Sequence, residues 1–287
     1  MRSIYKNRKA KQDLMNLYNE KLLSLNIDYT EIDVETQFGK TRIIRTGKPG
    51  GKQIVLFHGI NAGAPLTLEA VKELGDTYTL FAIDTIGQAT KSSETALNIK
   101  GNSYAIWADE VLTKLNIQKA NIIGVSYGAY ILQKLISYYP QRVEKCIFIV
   151  PSGIVNGKLW ESLTKLTFPL LRFMITKKDK HLQAFIKSFV PQEDEFMFRM
   201  QKLLLTGVNI DYRRPTLLKK SDVEHFDNPV YMIVASDDIF FPGEEIAKRS
   251  KLIFKNLKEI YFLKTSKHMP SKSSYPEIQS KINGWIG

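Results

Sequence analysis

The feature that most constrains this chain is a rhythm of short, unbroken apolar runs set between helical segments. QIVLF (53–57), TLFAID (79–84), NIIGV (121–125) and KCIFIV (145–150) show no alternation of polar and apolar residues. A strand with one wet face alternates and a strand covered on both faces does not. These runs therefore belong to a sheet sandwiched between helices and parallel in its central part. LTLEAVKELG, YAIWADEVLTKL and YGAYILQKLISYY follow the first three runs with the spacing of amphipathic helices. Ahead of them, EIDVET and TRIIRT, separated by QFGK, read as a hairpin at the sheet edge. Leu14, Leu17, Tyr18, Leu22 and Leu25 recur at helical steps and mark an amphipathic N-terminal helix.

The alternation stops after Pro151. Residues 153–226 carry large apolar side chains at helical spacing, as in LTFPLLRFMI, HLQAFIKSF and EFMFRMQKLLL, without a clear strand. It resumes with PVYMIVA, GEEIAKRSKLIF, EIYFL and YPEIQSKINGWI. The expected organisation is an α/β core formed by residues 1–152 and 227–287, interrupted by a helical insertion at 153–226. With 287 residues, 44% of them hydrophobic, such a core needs no covalent staple. The one cysteine, Cys146, lies inside an apolar run, which excludes a disulfide framework and a multi-cysteine metal site and predicts a buried thiol.

No apolar run approaches the roughly 20 residues of a membrane span, and MRSIYKNRKAKQ is not followed by a hydrophobic segment. A cytoplasmic protein without integral membrane association is expected. The net charge of +12 raises nucleic acid as a partner. Apart from five basic residues in the first eleven, however, the lysines and arginines are scattered among acids and no nucleic-acid motif accompanies them. The expectation is a solvated, lysine-rich surface and no nucleic-acid partner.

Gly124-Val125-Ser126-Tyr127-Gly128 fits G-x-S-x-G at the point where a predicted strand turns into a predicted helix. A turn this sharp tolerates no Cβ at either end, and it lifts the serine oxygen clear of the sheet. It also leaves the Tyr127 N–H at a helix N-terminus, aimed at incoming negative charge. A serine hydroxyl needs a base, and the base needs a group that holds its tautomer. Of the four histidines, His58 ends the run IVLFHG, His181 and His225 fall in the insertion, and His268 follows the strand EIYFL. A loop after the last strand lies on the same sheet edge as Ser126, so His268 is the candidate base. The acid should come from the loop after PVYMIVA, which offers Asp237 and Asp238. The order Ser, Asp, His is the one expected of this architecture.

These residues resemble the α/β-hydrolase superfamily over nearly the whole chain. The resemblance implies a mostly parallel eight-stranded sheet, helices on both faces and a helical cap insertion. ASDDIFFP aligns Asp238 with the family's acid, Pro242 following, with Ala235 where the family has glycine. Lys267-His268 stands for its Gly-His. The turn His58-Gly59-Ile60-Asn61 corresponds to the one that completes the oxyanion hole. Ile60, with Asn61 as alternative, then supplies the donor beside Tyr127, Asn61 is a candidate substrate contact, and His58 is structural. Asp84, in AIDTIGQATKSS, is likewise structural.

A closer likeness, to bacterial carboxylesterases of the naproxen-esterase type, rests on the N-terminal helix, ETQFGKTRIIRTG, DTIGQATKS and the G-x-S-Y-G elbow. It implies hydrolysis of a small carboxylic ester through an acyl-enzyme, without cofactor or metal. The alternatives are a carbon–carbon bond or thioester hydrolase of the same fold, or a ligand-binding protein that does not turn over. The aspartate used at the elbow by dehalogenases and epoxide hydrolases is absent here.

Overall fold

The apolar runs pair side by side into one sheet, and the order in which they pair decides where a ligand can bind. The computed structural model describes residues 3–211 and 213–287, so Arg2 of the basic N-terminal stretch lies outside the described residues. Among the described residues the strands are β1 (Tyr29–Thr36), β2 (Gly39–Gly47), β3 (Gln53–Phe57), β4 (Thr79–Ile83), β5 (Ala120–Val125), β6 (Val143–Ile149), β7 (Val230–Ala235) and β8 (Leu257–Leu263). Their order across the sheet is β1-β2-β4-β3-β5-β6-β7-β8. The β1–β2 hairpin and the β2–β4 pair are antiparallel, and all other pairs are parallel. From β3 the chain moves outward to β4 and then returns to β5 on the other side of β3. Adjacent loops diverge at that reversal and leave a crevice beyond the strands' carboxyl ends.

The period of two sends alternate residues of each central strand to opposite faces. Val55, Phe57, Ile122 and Phe148 pack on one face with α3 (Ser103–Lys114) and α4 (Tyr127–Tyr138). Ile54, Leu56, Ile123 and Ile147 pack on the other with α1 (Arg8–Ser24) and α2 (Gly63–Val71). Both faces being dry is why these runs do not alternate. Cys146 is fully buried among them, and burial pushes its thiol well above the ordinary value.

After β6 come α5 (Leu159–Glu161), a π-helical turn at Ser162–Thr167, α6 (Phe168–Thr176), α7 (Asp179–Lys187) and α8 (Glu195–Gly207). The last α-helix of the insertion ends at Gly207, and among the described residues from there to β7 the only further helical turn is a short 3₁₀ turn at Lys220–Asp222. Pro215 has no N–H and disfavours helix at Arg214, while Leu218, Val223 and Phe226 are spent on the main core. The sheet is completed by α9 (Gly243–Ile253) and α10 (Tyr275–Ile286).

The insertion packs through a third apolar cluster, in which Phe173, Leu182, Ile186, Met197 and Leu204 meet Leu14 and Leu17 of α1. Polar contacts reinforce the same seam. Lys6 N–H donates to the Gly207 carbonyl (2.8 Å), Asn209 N–H to the Ile4 carbonyl (2.7 Å), and Arg199 grips both carboxylate oxygens of Glu20 at 2.7 Å. The N-terminal helix therefore anchors the insertion as well as covering the sheet. Leu17→Ala should cost about 2–5 kcal/mol in urea unfolding and admit limited proteolysis within 158–207. Leu23→Ala, on the exposed side of the same helix, should change stability by no more than about 0.5 kcal/mol.

Candidate active site

The site lies at the carboxyl ends of β3, β5, β7 and β8, and begins with one strained residue. β5 ends at Val125 and α4 begins at Tyr127, so Ser126 makes the whole turn, at φ 50° and ψ −110°. That left-handed geometry costs a non-glycine residue on the order of 1–3 kcal/mol unless its surroundings enforce it. The enforcement is visible. Ser126 N–H donates to the Ile149 carbonyl (2.9 Å), and its own carbonyl accepts from Ala129 N–H (3.0 Å), Ser152 N–H (3.2 Å) and Ser152 Oγ (3.0 Å). A Cβ on Gly124 would fall 2.6 Å from the Ala129 Cα, and one on Gly128 would fall 2.0 Å from the Phe57 carbonyl oxygen.

His268 follows β8, and its Nε2 lies 3.0 Å from the Ser126 hydroxyl. Its Nδ1 lies 2.7 Å from Asp238 Oδ2. A carboxylate only accepts, so the contact assigns the proton to Nδ1 and leaves Nε2 free to accept from the serine. The Asp238 side chain is fully buried. Its Oδ1 takes the N–H groups of Phe240 (2.8 Å) and Phe241 (3.1 Å), which leaves Oδ2 for the imidazole. The rings of Phe240 and Phe241 meet the imidazole edge-on at 4.9 and 5.5 Å and limit its rotation. Of the two acids in this loop, Asp238 is the one brought to His268. Asp237 is exposed, and its N–H instead ties the acid loop to the Ser266 carbonyl (2.9 Å). Lys267, where the resemblance has glycine, sends its ammonium to the Lys187 carbonyl on the insertion.

The turn after β3 touches the serine: a Cβ on Gly59 would sit 3.5 Å from Ser126 Cβ. The N–H groups of Ile60 and Tyr127 have no protein acceptor among the described residues, so both are available to a ligand oxygen. Asn61 is not an alternative to Ile60. Its N–H already donates to Gln88 Oε1 (2.6 Å) and its Oδ1 accepts from Ala89 N–H (3.0 Å), so its backbone donor is committed to the neighbouring loop.

His58 is buried away from the serine. Its Nδ1 bonds the Gly59 carbonyl (2.6 Å) and its Nε2 accepts from Thr85 N–H (2.8 Å), while burial lowers its pKa to about 4 against a small opposing pull from that carbonyl. Asp84 accepts from Ala64 N–H (2.8 Å) and Lys91 N–H (3.1 Å). Burial raises it to about 6, those bonds holding it down in part. His58 and Asp84 thus stitch the loops after β3 and β4 together.

His181 lies on α7, and His225 bonds the Ser137 carbonyl at 3.1 Å, so neither joins Ser126. Gln88, Ser152 and the two phenylalanines around His268 were not singled out from the sequence. Gln88 lies inside a motif that was, but nothing in its residue type marks it. Among the described residues no three His, Cys, Asp or Glu side chains converge to hold a metal ion.

Residues 52–227 match the family model described as the alpha/beta hydrolase fold. Two carboxylesterases of Bacillus subtilis, the uncharacterised nap and YbfK, are each 27% identical over 135 residues. Those residues are 47% of this chain and 45% and 46% of the respective relatives. The aligned region therefore spans about half the length of the curated relatives it matches. The crystal structure of naproxen esterase from Bacillus subtilis superposes with a TM-score of 0.84 at 16% identity, covering 98% of this chain and all of that one.

Gly128→Ala should lower stability in urea unfolding by at least about 1–3 kcal/mol, because the Phe57 carbonyl cannot retreat without moving β3. The buried pair controls acid sensitivity. Between about pH 4 and 6.5 the unfolded chain binds a proton that native His58 refuses, so that stability is lost as pH falls. Asp84 has the opposite sign: between 3.8 and about 6 the native state keeps a proton that the unfolded chain releases, so that stability is lost as pH rises. Asp84→Asn removes the second effect. Its unfolding free energy should fall more steeply with acid across that window than the parent's, by about 1.4 kcal/mol per pH unit.

Proposed function

The chain belongs to the α/β-hydrolase fold family, and from that premise we propose that it is a serine hydrolase that cleaves carboxylic esters through an acyl-enzyme. The observation that carries this reading is the unbroken line of contacts from Ser126 to His268 to Asp238, at 3.0 and 2.7 Å. Both distances lie in the range for proton transfer and tautomer control. Ser126 Oγ attacks the ester carbonyl as His268 Nε2 takes its proton. Asp238 stabilises the imidazolium, and the N–H groups of Ile60 and Tyr127 receive the oxyanion. The imidazolium then returns the proton to the departing alcohol, and water, activated by the same Nε2, releases the acid. Asn61 keeps Nδ2 as a donor that could meet substrate.

The insertion at 153–226 acts as a cap. In support, Met269 N–H, beside His268, donates to the Phe189 carbonyl (3.0 Å), and the Phe189 ring lies 5.5 Å from that of Phe240. Among the described residues no helix is long and apolar enough to cross a membrane, and we read the working compartment as the cytoplasm. The substrate is a small-molecule ester rather than nucleic acid.

Carboxylesterase activity in the two Bacillus relatives, as named, favours esters over the carbon–carbon and thioester alternatives. The enzyme should release a burst of p-nitrophenol from short acyl esters and take up a fluorophosphonate at Ser126. Ser126→Ala and His268→Ala should each lower kcat by on the order of 10⁶, and Asp238→Asn by about 10⁴, with unfolding midpoints showing that the variants fold. Full turnover by Ser126→Ala would falsify the assignment.

A further inference from the structure

Most large apolar side chains of this protein are inside, and the helical run at 159–176 is the concentrated exception. Trp160, Leu163, Phe168, Leu171 and Ile175 are between 43% and 81% exposed. Leu166 and Phe173 of the same run are buried in the cluster that includes Leu14, Leu17 and Ile239. The inner face is thus committed to the fold, and the outer apolar face meets solvent. An apolar surface of this density on one element marks an interaction site.

Charge says what it meets. Residues 158–180 hold six lysines and arginines against two acids. Lys158, Lys165 and Arg172 recur every seven residues along this stretch, and all are exposed. Arg172 lies 5.4 Å over the Phe168 ring, and Lys165 and Lys158 share Glu161 at 3.1 and 4.0 Å. Behind this flank is a cleft of about 730 Å³ lined by Lys158, Lys165, Lys187 and Lys267, with Glu161, Asp237 and the His268-bound Asp238 as its carboxylates. Aromatic and aliphatic side chains on one face, with cations beside them, suit a helix lying in the plane of a lipid interface. The apolar groups enter the acyl boundary while the cations meet phosphates. A second copy of a chain with net charge +12 would crowd like charges around the same contact.

We propose that residues 158–180 dock the protein on an anionic lipid surface. The docked helix starts beside the catalytic loops, since a Cβ on Gly157 would fall 2.6 Å from the Ile239 carbonyl, one residue beyond Asp238. Taken with the ester-hydrolase reading, on which this clause alone rests, that placement makes the substrate an acyl ester of an amphiphile drawn from the same surface.

The test uses the full chain carrying Ser126→Ala, so that the vesicles stay intact. Phosphatidylcholine vesicles with and without phosphatidylglycerol are sedimented with the protein while tryptophan fluorescence is followed. Trp107 and Trp285 are buried, so a change on binding reports Trp160, and Trp160→Phe should remove it. Partitioning should be at least about ten-fold stronger with phosphatidylglycerol, should weaken with salt, and should bring a blue shift. Leu171→Glu with Ile175→Glu should lower it about ten-fold or more. The same pair placed on the active enzyme should leave hydrolysis of soluble p-nitrophenyl acetate within about two-fold.

The proposal is overturned if anionic vesicles do not sediment the protein at low salt, or if the Leu171 and Ile175 substitutions leave binding unchanged. It is equally overturned if those substitutions abolish a concentration-dependent dimer while vesicles are ignored. Vesicle binding without turnover of soluble ester supports the docking and removes only the hydrolase reading; turnover without vesicle binding does the reverse.

Discussion

The close approach of α4 to the end of β3 is the constraint on which the rest depends. The first turn of α4 passes so near the Phe57 carbonyl that only glycine fits at 128, and the chain can enter that turn only by bending back at Ser126. The left-handed backbone there is held from both sides by Ile149, Ala129 and Ser152. The strained backbone of Ser126 aims the hydroxyl and leaves the next N–H at the start of a helix, where the dipole favours an anion.

Around that point the loops after four strands hold one another. His58 and Asp84 join the loops after β3 and β4, both using backbone N–H groups from neighbouring segments. Asp237 and Lys267 join the acid and histidine loops to each other and to the insertion. The imidazole is fixed by Asp238 on one nitrogen and by the flanking rings of Phe240 and Phe241. Tautomer and orientation of the imidazole are therefore set by the protein itself.

The insertion has two loyalties. Its inner side chains are packed on α1 and on the loop that carries Asp238, so its position is coupled to the Ser126–His268–Asp238 cluster through Phe189 and Met269. Its outer face along 159–176 contributes nothing to that packing and keeps its apolar residues in water. A fold gains nothing in stability from such residues, which is the physical reason to look for their purpose outside the chain.

Unalternated strands, the helices between them, and a serine between two glycines at a strand end were legible in order, because each is a local pattern: a short unbroken apolar run, a period of 3.6 or a single turn. Ser126 stood out as a candidate for the same reason, while His268 and the acid loop became candidates through their places after the last strands. Two pairs of neighbours owe their different environments to the fold and not to local pattern, although the alignment of ASDDIFFP already favoured Asp238. Asp237 and Asp238 are adjacent and chemically identical, and only the direction of the loop, pinned by Ser266, turns one inward and the other to solvent. Ile60 and Asn61 both offer an N–H, and only the approach of Gln88 from another strand's loop consumes one of them. Beyond Gly207 local spacing says little, and what places Leu218, Val223 and Phe226 is their long-range burial in the main core. The sequence by itself determined the sheet and the elbow and put forward Ser126, His268 and the acid loop as candidates; the tertiary structure alone decided which neighbour of each pair faces inward and which face of the insertion stays exposed, because those outcomes depend on segments far apart in the chain meeting in space.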